Sequence, residues 1–196
     1  MIYLPKTFER YLSALRLYVQ MSVLKDRDGA KHLAQLKKIS LAEALYFKEE
    51  RSPVDIIKLT NCLLGAAVII LLQRGKELSL KLSGGGAYLI NRRLFSLLLS
   101  ELGDKAENGC KISVSAESKG VIIKADKTQR SDILARLLKA MDGFFLYERV
   151  KNNLLIFIPA EKTCLPSQKI ENEWCYILDR FSPVNIWLLN LRNDPP

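Results

Sequence analysis

Histidine is almost missing from this chain: a single residue, His32, stands in 196. Nothing in the sequence positions it for a Ser/His/Asp or Cys/His arrangement, so nucleophilic catalysis of those kinds finds no support. The four cysteines (Cys62, Cys110, Cys164 and Cys175) show neither CxxC nor histidine-paired spacing. They read as reduced structural thiols and not as metal ligands. The longest apolar run, Cys62 to Leu72, falls short of the roughly 18 residues of a membrane span and predicts a buried helix. Met1 to Lys6 lacks a basic region followed by an apolar run and a small-residue cleavage site. No secretory signal is expected there, and the expected location is the cytoplasm. Carboxylates are scattered, without a pair of acid/base character. These absences lead us to expect neither a metal nor a cofactor.

What is present is the composition of a folded protein, 48% hydrophobic and 26% charged. A formal charge of +9 and a pI near 9.4 would attract a polyanion: nucleic acid, an anionic membrane surface or an acidic protein. The basic residues do not form a tail. They recur along the chain, as in Lys37-Lys38 and Arg92-Arg93, and alternate with acids, the pattern of a solvated surface.

Periodicity divides the chain into elements. Phe8, Leu12, Leu15, Val19 and Val23 recur at spacings of three and four and predict an amphipathic helix over 6–24. After the Lys25-Asp26-Arg27-Asp28-Gly29 stop, Leu33, Leu36, Ile39, Leu41, Leu45 and Phe47 predict a second over 31–50. So short a loop makes the two helices antiparallel neighbours. A helix pair alone buries too little surface, and dimerisation into a four-helix bundle is the simplest remedy. Ser52-Pro53 breaks the pattern and marks a domain boundary.

Beyond it, the pattern predicts a long buried helix over 54–73 and a strand over 77–82 entering a flexible turn at Gly84-Gly85-Gly86. A helix over 91–102 capped by Asn91 follows, then a hairpin of strands over 111–117 and 120–125. A helix over 130–141 and a second hairpin, 144–150 with 154–159, complete an α+β sandwich. The tail is expected to add strands around Trp174 to Leu178 and Val184 to Leu189. The domains are thus expected at 1–51, 52–160 and 161–196.

This order resembles the dimerisation and ATPase-like domains of sensor histidine kinases over roughly residues 6–160. Pro53-Val54-Asp55 resembles the entry into the first ATPase-domain helix, and Leu97-Leu98-Leu99-Ser100-Glu101-Leu102 the helix carrying the asparagine box. Ile112-Ser113-Val114-Ser115 resembles the strand after that box. Lys139-Ala140-Met141-Asp142-Gly143 before Phe144-Phe145 resembles the last helix and its turn.

The functional positions depart from the family. The stretch Leu4-Pro5-Lys6-Thr7-Phe8-Glu9-Arg10, where the resemblance implies a phosphoacceptor histidine, has lysine instead. His32 lies on the wrong helix and reads as a surface or capping residue, although an exposed imidazole is a competent nucleophile. The asparagines that help hold magnesium and phosphate are replaced by Glu101 and Lys105, which an i,i+4 salt bridge also explains. Asp126 stands where the family hydrogen-bonds adenine, but Lys127-Thr128-Gln129-Arg130 supplies none of the glycines that let backbone amides approach phosphate. The lid that closes over ATP is deleted.

The reading is therefore a catalytically inactive relative of histidine kinases, a homodimer acting by protein–protein contact in a two-component pathway. Enzyme activity is not expected, and Glu101, Lys105 and Asp126 are vestigial nucleotide-site positions. Arg16, Lys31 and Lys38 form a candidate face for an acidic response-regulator receiver domain. Two alternatives stand beside it: an ATP-independent phosphotransferase of a phosphorelay, and a basic nucleic-acid-binding module in which Phe144, Phe145 and Tyr147 stack on bases near Arg149 and Lys151. Alternating aromatics in a half-buried strand equally describe a core, and nucleic acid is the weakest of the three readings.

Overall fold

The computed structural model describes residues 30–73, 75–179 and 182–188, with the side chains of 30–33, 173 and 177 outside the description. The first expected helix, over 6–24, and Arg16 with it, lie outside these residues. The described chain begins with α1 (Ala30–Tyr46), the second helix of the expected hairpin.

Ser52-Pro53, where the helical pattern breaks, begins a strand. Proline fixes its own φ and drives the preceding residue to extended backbone, so β1 (Ser52–Asp55) runs antiparallel to β3 (Ala87–Ile90). With β8 (Glu161–Thr163) they form a three-stranded sheet in the order β1-β3-β8. Asp55 then accepts the Lys58 amide at 2.9 Å and caps α2 (Ile56–Leu72). This helix contains the apolar run noted in the sequence, and it is buried nearly all round.

Strand β2 (Leu78–Gly84) pairs in parallel with β4 (Cys110–Glu117), which requires a crossover, and α3 (Arg92–Lys105) supplies it. β5 (Gly120–Ala125), α4 (Asp132–Ala140), β6 (Phe144–Glu148) and β7 (Asn153–Pro159) follow. The large sheet has the order β2-β4-β5-β7-β6. Its inner face, with Ile112, Val114, Ile123, Ile156 and Ile158, is buried in the core with residues of the helix layer α2, α3 and α4. Its outer face carries cross-strand rows such as Lys81, Ser113, Lys124, Leu155 and Leu146.

The glycine triplet is the turn that links β2 to β3, and Gly84 within it ends β2 opposite Ala116 with φ +86°, where a Cβ would strike the Ala116 carbonyl. One local expectation needs correction. The tail after β8 holds helices where strands are expected, α5 (Glu173–Leu178) and α6 (Pro183–Leu188). Asn172 accepts the Cys175 amide at 3.1 Å, and Ser182 accepts the Asn185 amide at 3.2 Å beside Pro183 at the first helical position. Both are N-terminal helix signals that outweigh the short apolar runs. These helices form a further layer: α5 packs on α2, and α6 packs on α3, α2 and α1. Leu36, Ile39, Leu41 and Ala44 of α1 share one core with the sandwich.

Candidate functional site

Asn91 fixes where α3 starts. Its Oδ1 accepts the Leu94 amide at 2.9 Å, while its Nδ2 donates to the Phe47 carbonyl at 2.7 Å and ties the end of α1 to the helix. From that start, Glu101 falls in the buried half of α3. It is 1% exposed, a level at which a carboxylate requires partners.

Both oxygens have one. Ser131 Oγ donates to Oε1, and the indole Nε1 of Trp187 donates to Oε2. Ser131 also caps α4, accepting the Leu134 amide at 3.4 Å, so one hydroxyl joins α4 to α3. Trp187 is fully buried on α6, with the Lys37 ammonium 5.6 Å from its ring centroid. The tail therefore inserts a tryptophan against Glu101.

Around this centre lie two lysines and a second acid. Asp104 takes Lys105 Nζ at 3.0 Å and Lys37 Nζ at 3.9 Å. Burial lowers the Lys37 pKa, and the nearby charges of Asp104 and Glu101 only partly restore it. For Lys105, burial also opposes the charge, but the Asp104 hydrogen bond together with the Asp104 and Glu101 charges outweighs it and raises the pKa. The i,i+4 salt bridge between Glu101 and Lys105 is thus not the pair that forms: Lys105 pairs with its neighbour Asp104.

Asp126 is elsewhere. It follows the outward-facing Lys124 in period two, and its carboxylate accepts the Lys111 amide. It lines a cavity of about 700 Å³ on the outer face of the large sheet with Lys81, Lys111 and Lys124. The structure does not join Asp126 to Glu101 or Lys105 by a hydrogen bond or ion pair among the described residues; the two segments meet through backbone, where the Lys105 carbonyl accepts the Gln129 amide at 3.0 Å beside the Ala106–Thr128 bridge. Ala125 and Thr128 are the buried residues at this end of β5.

No protein-family model matches the chain, and no curated protein is detectably similar to it. Solved structures do resemble it. ShkA, solved full-length in complex with AMPPNP, superposes with a TM-score of 0.50 at 15% identity, over 84% of this chain and 41% of that one. The chain thus spans less than half of that protein. The histidine kinase AdeS of Acinetobacter baumannii gives 0.49 at 16% identity, over 76% of this chain and 95% of that one. A histidine kinase from Burkholderia phymatum STM815 gives 0.45 at 16% identity, over 82% and 100%.

The fold is that of a histidine kinase core.

Within this histidine-kinase-like fold, the remaining candidates are dispersed. Lys38 is exposed on α1, whereas the side chains of Lys31 and His32 lie outside the described residues. Phe145 and Tyr147 are partly buried against the core, while Phe144 points outward at 58% exposure against Phe157, 5.3 Å between ring centroids. No described helix is long and apolar enough to cross a membrane. Among the described residues no His, Cys, Asp and Glu side chains gather as a metal site.

Sequence reasoning missed Ser131, Asp104, Lys37 and Trp187. Ser131-Asp132 ahead of an apolar run is a legible cap signal. Nothing local marks Trp187, because its partner Glu101 is 86 residues away in the chain.

Proposed function

We propose that this chain is a histidine-kinase-like signalling protein without kinase activity, which dimerises through its N-terminal helices and acts by protein–protein contact. The observation that carries the reading is the closure of Glu101. In the resemblance this position helps hold magnesium and phosphate. Here its carboxylate is buried and accepts from Ser131 and Trp187, so a metal or nucleotide would have to displace two hydrogen bonds and a buried indole. Lysine in place of the phosphoacceptor histidine and the missing glycines beyond Asp126 support the same conclusion.

The partner we propose is a receiver domain, whose acidic pocket suits the basic face of the helical hairpin. Lys38 is the exposed member of that face within the described residues. Calorimetric titration with ATP and a nonhydrolysable analogue, with and without magnesium, tests the reading. No binding is expected up to about 1 mM nucleotide, the weak end of specific recognition. Magnesium-dependent binding or autophosphorylation would overturn it.

A further inference from the structure

A cavity of about 790 Å³ opens between α1, the N-terminal half of α3 and the C-terminal segment. Its volume falls within the roughly 300–1,000 Å³ of small-molecule sites. Ala44, Leu97 and Ile186 supply apolar wall, and Arg51, Arg92 and Arg93 bring positive charge to it. It is separate from the closed Glu101 centre: Arg92 and Arg93 begin α3, whereas Glu101 lies more than two turns further along.

The charge at this helix start is the reverse of what helix stability favours. A helix N-terminus carries partial positive charge and unsatisfied amides, so Asp or Glu stabilises it. The first turn of α3 has no acid and two arginines. Asn91 occupies the amides of Leu94 and Phe95, one through its side chain and one through its carbonyl. The amides of Arg92 and Arg93 precede any intrahelical acceptor.

A second observation is independent of the helix end. Ser96, one turn further, is 9% exposed and lines the cavity, and its hydroxyl makes no hydrogen bond to another described residue. Ser40 and Ser52 add two more hydroxyls to the same wall. The arginines are held in place without being used up. Arg92 Nη1 donates to the Lys169 carbonyl at 3.0 Å, and Arg93 Nη1 donates to Glu43 at 3.1 Å with its guanidinium 4.8 Å from the Phe47 ring centroid. Arg51 lies 3.4 Å from Asp142. A guanidinium has five donors, so each keeps some free. Glu43 offsets Arg93, and Glu50 on the rim is exposed, which leaves the lining charges net positive.

We propose that this cavity binds a small phosphate monoester. Its phosphoryl group sits at the start of α3 between Arg92, Arg93 and the Ser96 hydroxyl, and its apolar body lies on Leu97, Ala44 and Ile186. Phosphate is favoured over carboxylate because forked guanidinium donors, free helix amides and hydroxyls together offer more donors than two carboxylate oxygens accept.

The test is calorimetric titration of the full chain with phenyl phosphate, inorganic phosphate and benzoate. Phenyl phosphate is expected to bind about tenfold more tightly than either of the others, each lacking one half of the recognition. Arg92→Gln is expected to weaken it by at least about tenfold and Ser96→Ala several-fold, with Lys111→Gln on the outer sheet face unchanged. Equal binding of benzoate, an unaffected Arg92→Gln, an equal loss in Lys111→Gln, or no binding of phenyl phosphate at about 1 mM would each overturn the proposal. Arg92 also holds the Lys169 carbonyl, so a second measurement uses the unaltered chain. Phenyl phosphate should shift the backbone amide resonances of Arg92 to Phe95, and their failure to move would overturn the proposal equally. The probes lack a nucleoside, so failure here leaves the reading of Glu101 untouched.

Discussion

Cys110 shows how one buried side chain couples the fold to pH. Its Sγ donates to the Asp126 carbonyl at 2.8 Å and sits 3.5 Å from the Thr128 hydroxyl. Burial pushes the thiol pKa above its ordinary 9.0, opposed by the Thr128 hydrogen bond. A raised pKa in the folded state means that the unfolded chain loses this proton first. The contribution to stability is complete below about pH 9 and is lost as pH rises through the folded value. Urea unfolding between about pH 8 and pH 10 should therefore show a steeper loss in the unaltered chain than in Cys110→Ala. Tyr88 and Lys105, also raised, act in the same direction in both chains and cancel in that comparison. Lys37, lowered, acts in the opposite sense and cancels likewise. A thiol reagent should label Cys164 and Cys175 fast, being exposed, and Cys62 and Cys110 slowly. At this scale the sequence distinguishes none of the four thiols from the others, whereas the fold buries Cys62 and Cys110 and exposes Cys164 and Cys175. The roles of Glu101 and Lys105 were not legible, since i,i+4 spacing permits a salt bridge without requiring one.

Among the elements, α6 is the one that closes the candidate site. Its attachment to Glu101 runs through a single indole N–H, which Trp187→Phe removes while retaining most of the buried ring. That change leaves a buried carboxylate oxygen unpaired and should cost about 1–3 kcal/mol in urea unfolding. A loss within experimental error would mean that the bond contributes nothing net. The helices α2 and α3 were legible because their signals are local: an apolar run for the first and the Asn91 cap for the second, although the Asp55 cap starts α2 two residues later than the run suggests. The hairpin β4–β5 was legible from strict alternation. β3 was not, since four residues after three glycines carry too little pattern, and it exists as a strand only by pairing with β1 and β8. The tail was read as strands because six-residue apolar runs have no period that separates strand from helix.

For the whole molecule, the proposed dimer has a direct measurement. Sedimentation of the full chain should give a particle of twice the 22.3 kDa chain mass that persists on dilution to micromolar concentration. A particle of one chain mass would remove the hairpin dimer from the proposal and leave the closed site as it is. The α+β class, the helices α2 to α4 and the hairpins β4–β5 and β6–β7 were legible from the sequence alone, because periodicity and residue identity act over a few neighbouring positions. Tertiary structure decided where the candidate residues end up. It sent Asp126 to the outer face of the sheet and buried Glu101 under Trp187, and it brought Arg51 and the start of α3 to one cavity. The physical reason is that each of these outcomes depends on contacts between residues far apart in the chain, where burial and hydrogen-bond satisfaction are settled by packing and leave no mark in any short stretch of sequence.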